Sequence, residues 1–131
     1  MAVKKLQTDD IRIAATVKVN SEVQVITELN DIVVVAYRVL SGSKRESIEF
    51  ALAPTSEQQK LNVVDDAAGK ISFVFPRTMT RTMSKGLYLC EVRLQFSAGE
   101  EYVNMKCNVG QDAFELFELV ESVNATLLTN E

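Results

Sequence analysis

The chain contains no histidine and no tryptophan, and only two cysteines, two prolines and five glycines among 131 residues. Without histidine, a Ser-His-Asp or Cys-His relay, a histidine-ligated zinc and an imidazole proton shuttle are all excluded within this chain. No other catalytic pattern takes their place. There is no glycine-rich phosphate loop, and no carboxylate pair stands out among the 18 acidic residues. Asp65-Asp66 reads as a turn rather than as half of a calcium site. The expectation is a non-enzymatic protein with no cofactor and no metal.

Charge and hydropathy exclude further classes. Lysine and arginine number 14 against 18 acids, a net charge of −4, which is poorly suited to neutralising phosphates and points away from a nucleic-acid partner. The longest apolar run, Ile32 to Tyr37, is far too short to span a bilayer, so no membrane role is expected. Met1 to Leu6 carries the basic residues of a leader peptide, yet Gln7, Thr8, Asp9 and Asp10 follow where its apolar segment should stand. Secretion by a signal peptide is therefore not expected, and the sequon Asn124-Ala125-Thr126 then has little meaning. What remains, 47% hydrophobic and 24% charged residues, is the make-up of a folded globular domain.

Period-two alternation dominates the chain. Ile11, Ile13, Ala15, Val17 and Val19 alternate with Arg12, Ala14, Thr16, Lys18 and Asn20, as in a half-buried strand. Asn20-Ser21-Glu22 reads as a turn, with Val23 and Val25 beginning a short strand. Asp31 to Leu40, rich in β-branched residues, reads as a central strand buried on both faces. Ser41-Gly42-Ser43 turns the chain into a strand with Ile48, Phe50 and Leu52 on one face, ended by Pro54. Leu61 and Val63 suggest another strand, closed by residues 65–69. Ile71, Phe73 and Phe75 alternate until Pro76, and residues 77–85 form a polar crossover with room for one helical turn. Leu87 to Phe96 places Tyr88, Cys90, Val92, Leu94 and Phe96 on one side. Ser97-Ala98-Gly99-Glu100 then loops to a strand carrying Val103, Met105, Cys107 and Val109. About seven or eight short strands separated by turns predict an all-β protein, an antiparallel β-sandwich of immunoglobulin type over residues 9–110.

The last segment changes period. Ala113, Leu116, Phe117, Val120 and Val123 follow helical spacing, Glu115, Glu118 and Glu121 fall opposite, and Asp112 can cap the first turn. This predicts a short C-terminal amphipathic helix over 112–123, followed by a tail at 124–131. Leu116, Phe117 and Val120 are its candidate interface residues, since a broad apolar face must pack on something; covering the helix's own sandwich is the plainer use. Arg77, Arg81 and Lys85, spaced by four, are candidates for a basic docking patch that meets an acidic neighbour, including the glutamates of another copy. A solvated loop is the plainer reading of the three.

Two motifs carry finer information. Gly86-Leu87-Tyr88-Leu89-Cys90 has the Gly-x-Tyr-x-Cys spacing of strand F in immunoglobulin-like domains, where the tyrosine hydroxyl bonds back to upstream backbone. Ser84 stands where antibody domains often carry Asp, and an ordinary strand start fits the same residues. If 97–100 is the loop, Leu94 opposes Val103, Val92 opposes Met105 and Cys90 opposes Cys107, all on one apolar face. The immunoglobulin disulfide would need a cysteine on the early central strand, and Val33 to Val39 has none. Cys90 and Cys107 therefore read as two buried free thiols acting as small hydrophobes, kept reduced in a cytoplasm.

Three stretches together resemble a known family. Leu29-Asn30-Asp31-Ile32-Val33-Val34 leads into the central strand, Gly69-Lys70-Ile71-Ser72-Phe73 precedes Pro76, and Gly86-Leu87-Tyr88 follows a Thr/Ser-rich crossover. In this combination the chain resembles the immunoglobulin-like N-terminal domain of phage baseplate upper proteins and related phage tail proteins. The resemblance implies a structural sandwich that assembles within a virion and performs no chemistry. Its partners would be other virion proteins or further copies of itself, forming a homo-oligomer within the assembly, and it would be assembled in the host cytoplasm. Only a short acidic amphipathic segment follows the matching region, which favours a baseplate, neck or fibre adaptor or decoration over receptor binding. The alternative is a carbohydrate-binding or adhesion sandwich, for which Tyr102 is the one aromatic expected to face outward.

Overall fold

The computed structural model describes residues 4–39, 45–96, 101–105 and 113–120. Along the chain these residues form β1 (Lys4–Leu6), β2 (Ile11–Thr16), β3 (Lys18–Val19), β4 (Glu22–Val23), a 3-10 turn (Ile26–Glu28), β5 (Leu29–Val39) and β6 (Arg45–Ala51). There follow β7 (Gln59–Lys60), β8 (Asn62–Asp65), β9 (Lys70–Phe75), the helical turn α1 (Arg77–Thr80), β10 (Gly86–Phe96), β11 (Tyr102–Asn104) and β12 (Ala113–Val120). The period-two segments are strands because alternation gives each one an apolar face to bury and a polar face to leave in water. The Ile11–Val19 stretch is two strands rather than one. Val17, fully buried between them, donates its N–H to the Gly69 carbonyl at 2.8 Å, and the chain turns there. Asn20 and Ser21 then join β3 to β4, both with positive φ, as tight two-residue hairpin turns require.

A seven-stranded sheet has the order β1-β12-β10-β5-β6-β7, with β11 paired to the far end of β10. A three-stranded sheet has the order β2-β9-β8. The order β12-β10-β5-β6 parallels the G-F-C-C′ order of immunoglobulin sandwiches and β2-β9-β8 parallels B-E-D, while β7 departs from that pattern by pairing with β6 in parallel. The fold is an all-β sandwich. It is not purely antiparallel, because β1 pairs with β12 and β7 with β6 in parallel.

The sheets face each other through aromatic rings. Phe50 of the larger sheet lies 4.9 Å from both Phe73 and Phe75 of the smaller one. Phe75 meets Phe117 edge-on at 5.2 Å, and Phe117 stacks on Tyr88 at 5.3 Å. Each buried ring is worth roughly 1.5–3 kcal/mol from area alone, and favourable pair geometry adds about 0.5–1.5 kcal/mol.

The segment expected to be a C-terminal helix is strand β12. It runs antiparallel to β10, Tyr88 pairing with Phe117 and Leu89 with Glu115, so Leu116 is an extra residue between two paired positions. That β-bulge explains the misleading spacing. Phe114 faces inward opposite Cys90, the bulge resets the alternation, and Phe117 and Leu119 face inward again. An isolated helix of about three turns is marginal in water, whereas the free edge of β10 offers a full set of backbone partners. With β1 and β12 both in the larger sheet, the sandwich extends beyond the expected 9–110 on both sides. Residues 121–131 lie outside those described.

Candidate functional site

Of the six candidate interface residues, the structure removes one outright. Phe117 is 0% exposed and belongs to the sandwich core, so it reaches no partner. Leu116 sits at the bulge and Val120 pairs with Leu6 of β1, each half-buried. The three do not form one face, because strand alternation sends Phe117 and Val120 to opposite sides of the sheet.

Arg77, Arg81 and Lys85 are exposed. Arg77 opens α1 and Arg81 follows it, held by the Arg81 N–H to Arg77 carbonyl bond at 3.1 Å. The helix is too short to carry Lys85 on the same face. The crossover is pinned from beneath. The Arg77 N–H donates to Asp10 Oδ1 at 2.7 Å, the Thr80 hydroxyl to the Asp9 carbonyl at 2.7 Å, and Gln7 Nε2 to the Met83 carbonyl at 3.0 Å. At its exit the Tyr88 hydroxyl donates to the Ser84 carbonyl at 2.8 Å. This is the tyrosine corner of immunoglobulin-like folds, with serine in place of aspartate.

Cys90 is a buried free thiol on the core face of β10, beside Ala36 and Phe114. Its expected neighbour Cys107 lies outside the described residues. The register Leu94 to Val103 holds, but β11 ends at Asn104, and β12 takes up the edge beside Cys90. Val103 is exposed rather than on a buried apolar face. Burial, reinforced by the Glu91 carboxylate, pushes the Cys90 thiol up to about 12 from an ordinary 9.0. A thiol held protonated in the fold stabilises it fully below pH 9 and progressively less as pH rises toward 12, by about 1.4 kcal/mol per unit. Urea denaturation from pH 8 to 11 should therefore show a downward slope that is shallower in Cys90→Ala, where only groups such as the raised Tyr102 phenol still contribute. Equal slopes in the two proteins would contradict the burial argument.

The solvent side of the larger sheet is unusual at β5, where Asp31, Val33, Val35 and Tyr37 are also buried. The sequence anticipates this two-sided burial from the β-branched run. It does not anticipate Asp31. The carboxylate accepts the Ile32 N–H at 2.9 Å, the Ala53 N–H at 3.1 Å and the Tyr102 hydroxyl at 2.9 Å. Asp31 thereby ties β5, the end of β6 and β11 together. The hydrogen bond to Asp31 holds the Tyr102 phenol above its usual value, with desolvation and the carboxylate charge adding to it. An aspartate opening an otherwise apolar strand is the signal that could have revealed this node.

Clefts open on the surface over both sheets. One of about 270 Å³ runs over the smaller sheet between Ala14, Val64 and Lys70. Another, about 400 Å³, lies beside β6 and is lined by Ser47, Ile48 and Glu49, by Thr55 and Glu57 to Gln59, and by Met79. Gln58 organises it, accepting the Thr55 N–H at 3.0 Å and donating to Glu49 Oε1 at 2.8 Å. Among the described residues no three His, Cys, Asp or Glu side chains are placed to hold a metal ion, and no helix is long and apolar enough to cross a membrane. Compared with protein-family models and with curated proteins, the chain matches none.

Proposed function

We propose that this chain is a non-enzymatic structural protein of a phage virion, a baseplate, neck or fibre adaptor or decoration that works by protein–protein assembly. The observation that carries the reading is where the exposed apolar side chains lie. Of the seven large apolar side chains exposed among the described residues, Leu6 on β1, Val63 and Val64 on β8, and Tyr102 and Val103 on β11 sit at sheet margins, while Val23 lies on the β3–β4 hairpin and Leu87 on the inner strand β10. Val64, 62% exposed, is itself the bulged residue of β8, since Val63 pairs with Ile71 and Asp65 with Lys70. A bulge on a free edge discourages strand addition, so these valines offer side-chain contact rather than sheet extension. The virion assignment draws on the three family-like stretches noted above.

A second reading, a carbohydrate-binding or adhesion module, draws on Tyr102, which is 46% exposed with its hydroxyl held by Asp31. Light scattering over a concentration series, together with mass spectrometry of purified phage particles, tests the first. The expected result is an assembly larger than one chain, reduced to the monomer mass by Val63→Glu with Val64→Glu, and recovery of the chain in particles. A monomer absent from particles, retained on a glycan array by a contact that Tyr102→Ala removes, would overturn it in favour of the second.

A further inference from the structure

Two sheet margins are regular and lack a covering strand among the described residues, β2 on the smaller sheet and the start of β6 on the larger, and the second has a cleft with carboxylates beside it. β8 is interrupted by its bulge, and β1 presents Lys4 and Lys5 at its edge, a common guard against pairing. β6 pairs with β5 in unbroken register from Arg45 to Ala51. The direction of its backbone groups follows from one bond, the Leu52 N–H to the Ile32 carbonyl at 3.0 Å. Bonded and non-bonded pairs alternate in an antiparallel ladder. Phe50 and Ile48 therefore turn their N–H and C=O toward β5, while Ser47, Glu49 and Ala51 turn theirs outward. The Ala51 carbonyl agrees, accepting the Leu61 N–H at 2.9 Å on the outer side. β7 covers only this last part, at Phe50 and Ala51. Among the described residues no strand covers the edge from Ser47 back toward Arg45.

The cleft of about 400 Å³ lies along this uncovered edge. Its lining includes two apolar side chains, Ile48 and Met79, and two carboxylates, Glu49 and Glu57. Gln58 already holds Glu49 in place, so little ordering is left for binding to cost. A regular edge supplies backbone pairing, the apolar lining accepts apolar side chains or stems, and the carboxylates select positive charge.

We propose that the open edge of β6 and the adjoining cleft receive an extended basic segment of a partner protein as an added strand. The proposal rests on the assembly reading above and names the surface and the partner chemistry for one of its contacts. Charge complementarity decides the occupant: an acidic or neutral strand would pair the same backbone but would meet Glu49 and Glu57 unfavourably or without gain.

The test uses the full chain, labelled with nitrogen-15, and two capped hexapeptides, one alternating Lys with Val and the other Glu with Val. The Lys-Val peptide should shift the amide signals of Ser47, Glu49 and Gln59 saturably, with binding weakened by salt. Glu57→Lys, a change at an exposed lining residue, should weaken it about tenfold. Ser47→Pro removes an outward N–H without touching the β5 ladder, and should abolish strand pairing while leaving the remaining spectrum in place. Should that variant fail to fold, Glu57→Lys still decides the matter. Equal binding of the Glu-Val peptide, shifts mapped elsewhere, or the same shifts from spermine alone would each overturn the proposal. The last outcome would mean an amine site rather than strand addition. Loss of peptide binding with assembly still seen by light scattering removes only this contact, whereas peptide binding by a monomer absent from particles removes the assembly reading.

Discussion

Replacing Phe117 with alanine is expected to lower unfolding free energy by about 3–5 kcal/mol, the range for deleting a buried aromatic ring. Phe117 is fully buried, stacks on Tyr88 and meets Phe75 edge-on. Its loss would break the row of rings that joins the two sheets and leave a cavity that neighbours on rigid strands cannot close. Leu116→Ala supplies the contrast. That residue lies next door but at the bulge and half-buried, so its expected cost is about 1 kcal/mol. Urea unfolding monitored by circular dichroism measures both. Equal costs would be the result of a helix packed through Leu116 and Phe117 together, and would contradict the strand.

Gly69→Ala is expected to cost about 2–4 kcal/mol, because two penalties coincide there. The residue has φ +65°, a left-handed conformation that L side chains resist. A Cβ would also stand 2.6 Å from the Gln24 carbonyl oxygen and 3.0 Å from that of Val17. Both are backbone atoms, so neither can rotate away. Three segments meet at this point. The Gly69 carbonyl accepts the Val17 N–H at 2.8 Å, the Gln24 N–H reaches the Val17 carbonyl at 2.9 Å, and Asp66 in the same turn accepts the Thr27 N–H at 2.8 Å. Moving the turn to make room would disturb the end of β2, the β3–β4 hairpin and the 3-10 turn at once. A fall in Tm of roughly 10 °C in differential scanning calorimetry is the expected reading. A Tm within a degree or two of the parent would show that the turn relaxes freely.

The strands of the core were legible because each answers to its own residues. Alternation in Ile71-Ser72-Phe73-Val74-Phe75 predicts β9 with its inward face, and the β-branched run from Asp31 predicts a central strand buried on both sides. Gly86-Leu87-Tyr88 foretold the corner, since a tyrosine near a strand start can reach its own upstream carbonyl. The candidate interface was less legible. Five apolar residues spread over 113–123 around a bulge are indistinguishable from a helical face when the partner strand is unknown. That spacing makes Phe117 a candidate interface residue as well as a core one, and the strand buries it completely. The acidic cleft was invisible, because Glu49 lies on β6 and Glu57 in the turn before β7, and only the packing of that turn against β6 brings them together.

The sequence by itself determined the class of fold and most of its strands, and its lack of histidine excluded the chemistry that depends on imidazole. Those properties are local: residue type and periodicity settle them before any strand finds a partner. Only the tertiary structure decided the fate of residues 113–120, the pairing of Cys90 with Ala36 and Phe114 on its neighbouring strands, and which sheet edges stay open. Each of these depends on what the neighbouring strand supplies. The edge of β10 turned an apparent helix into β12, and the shortness of β7 left β6 uncovered. Backbone pairing is non-local, so no pattern within one segment can report it.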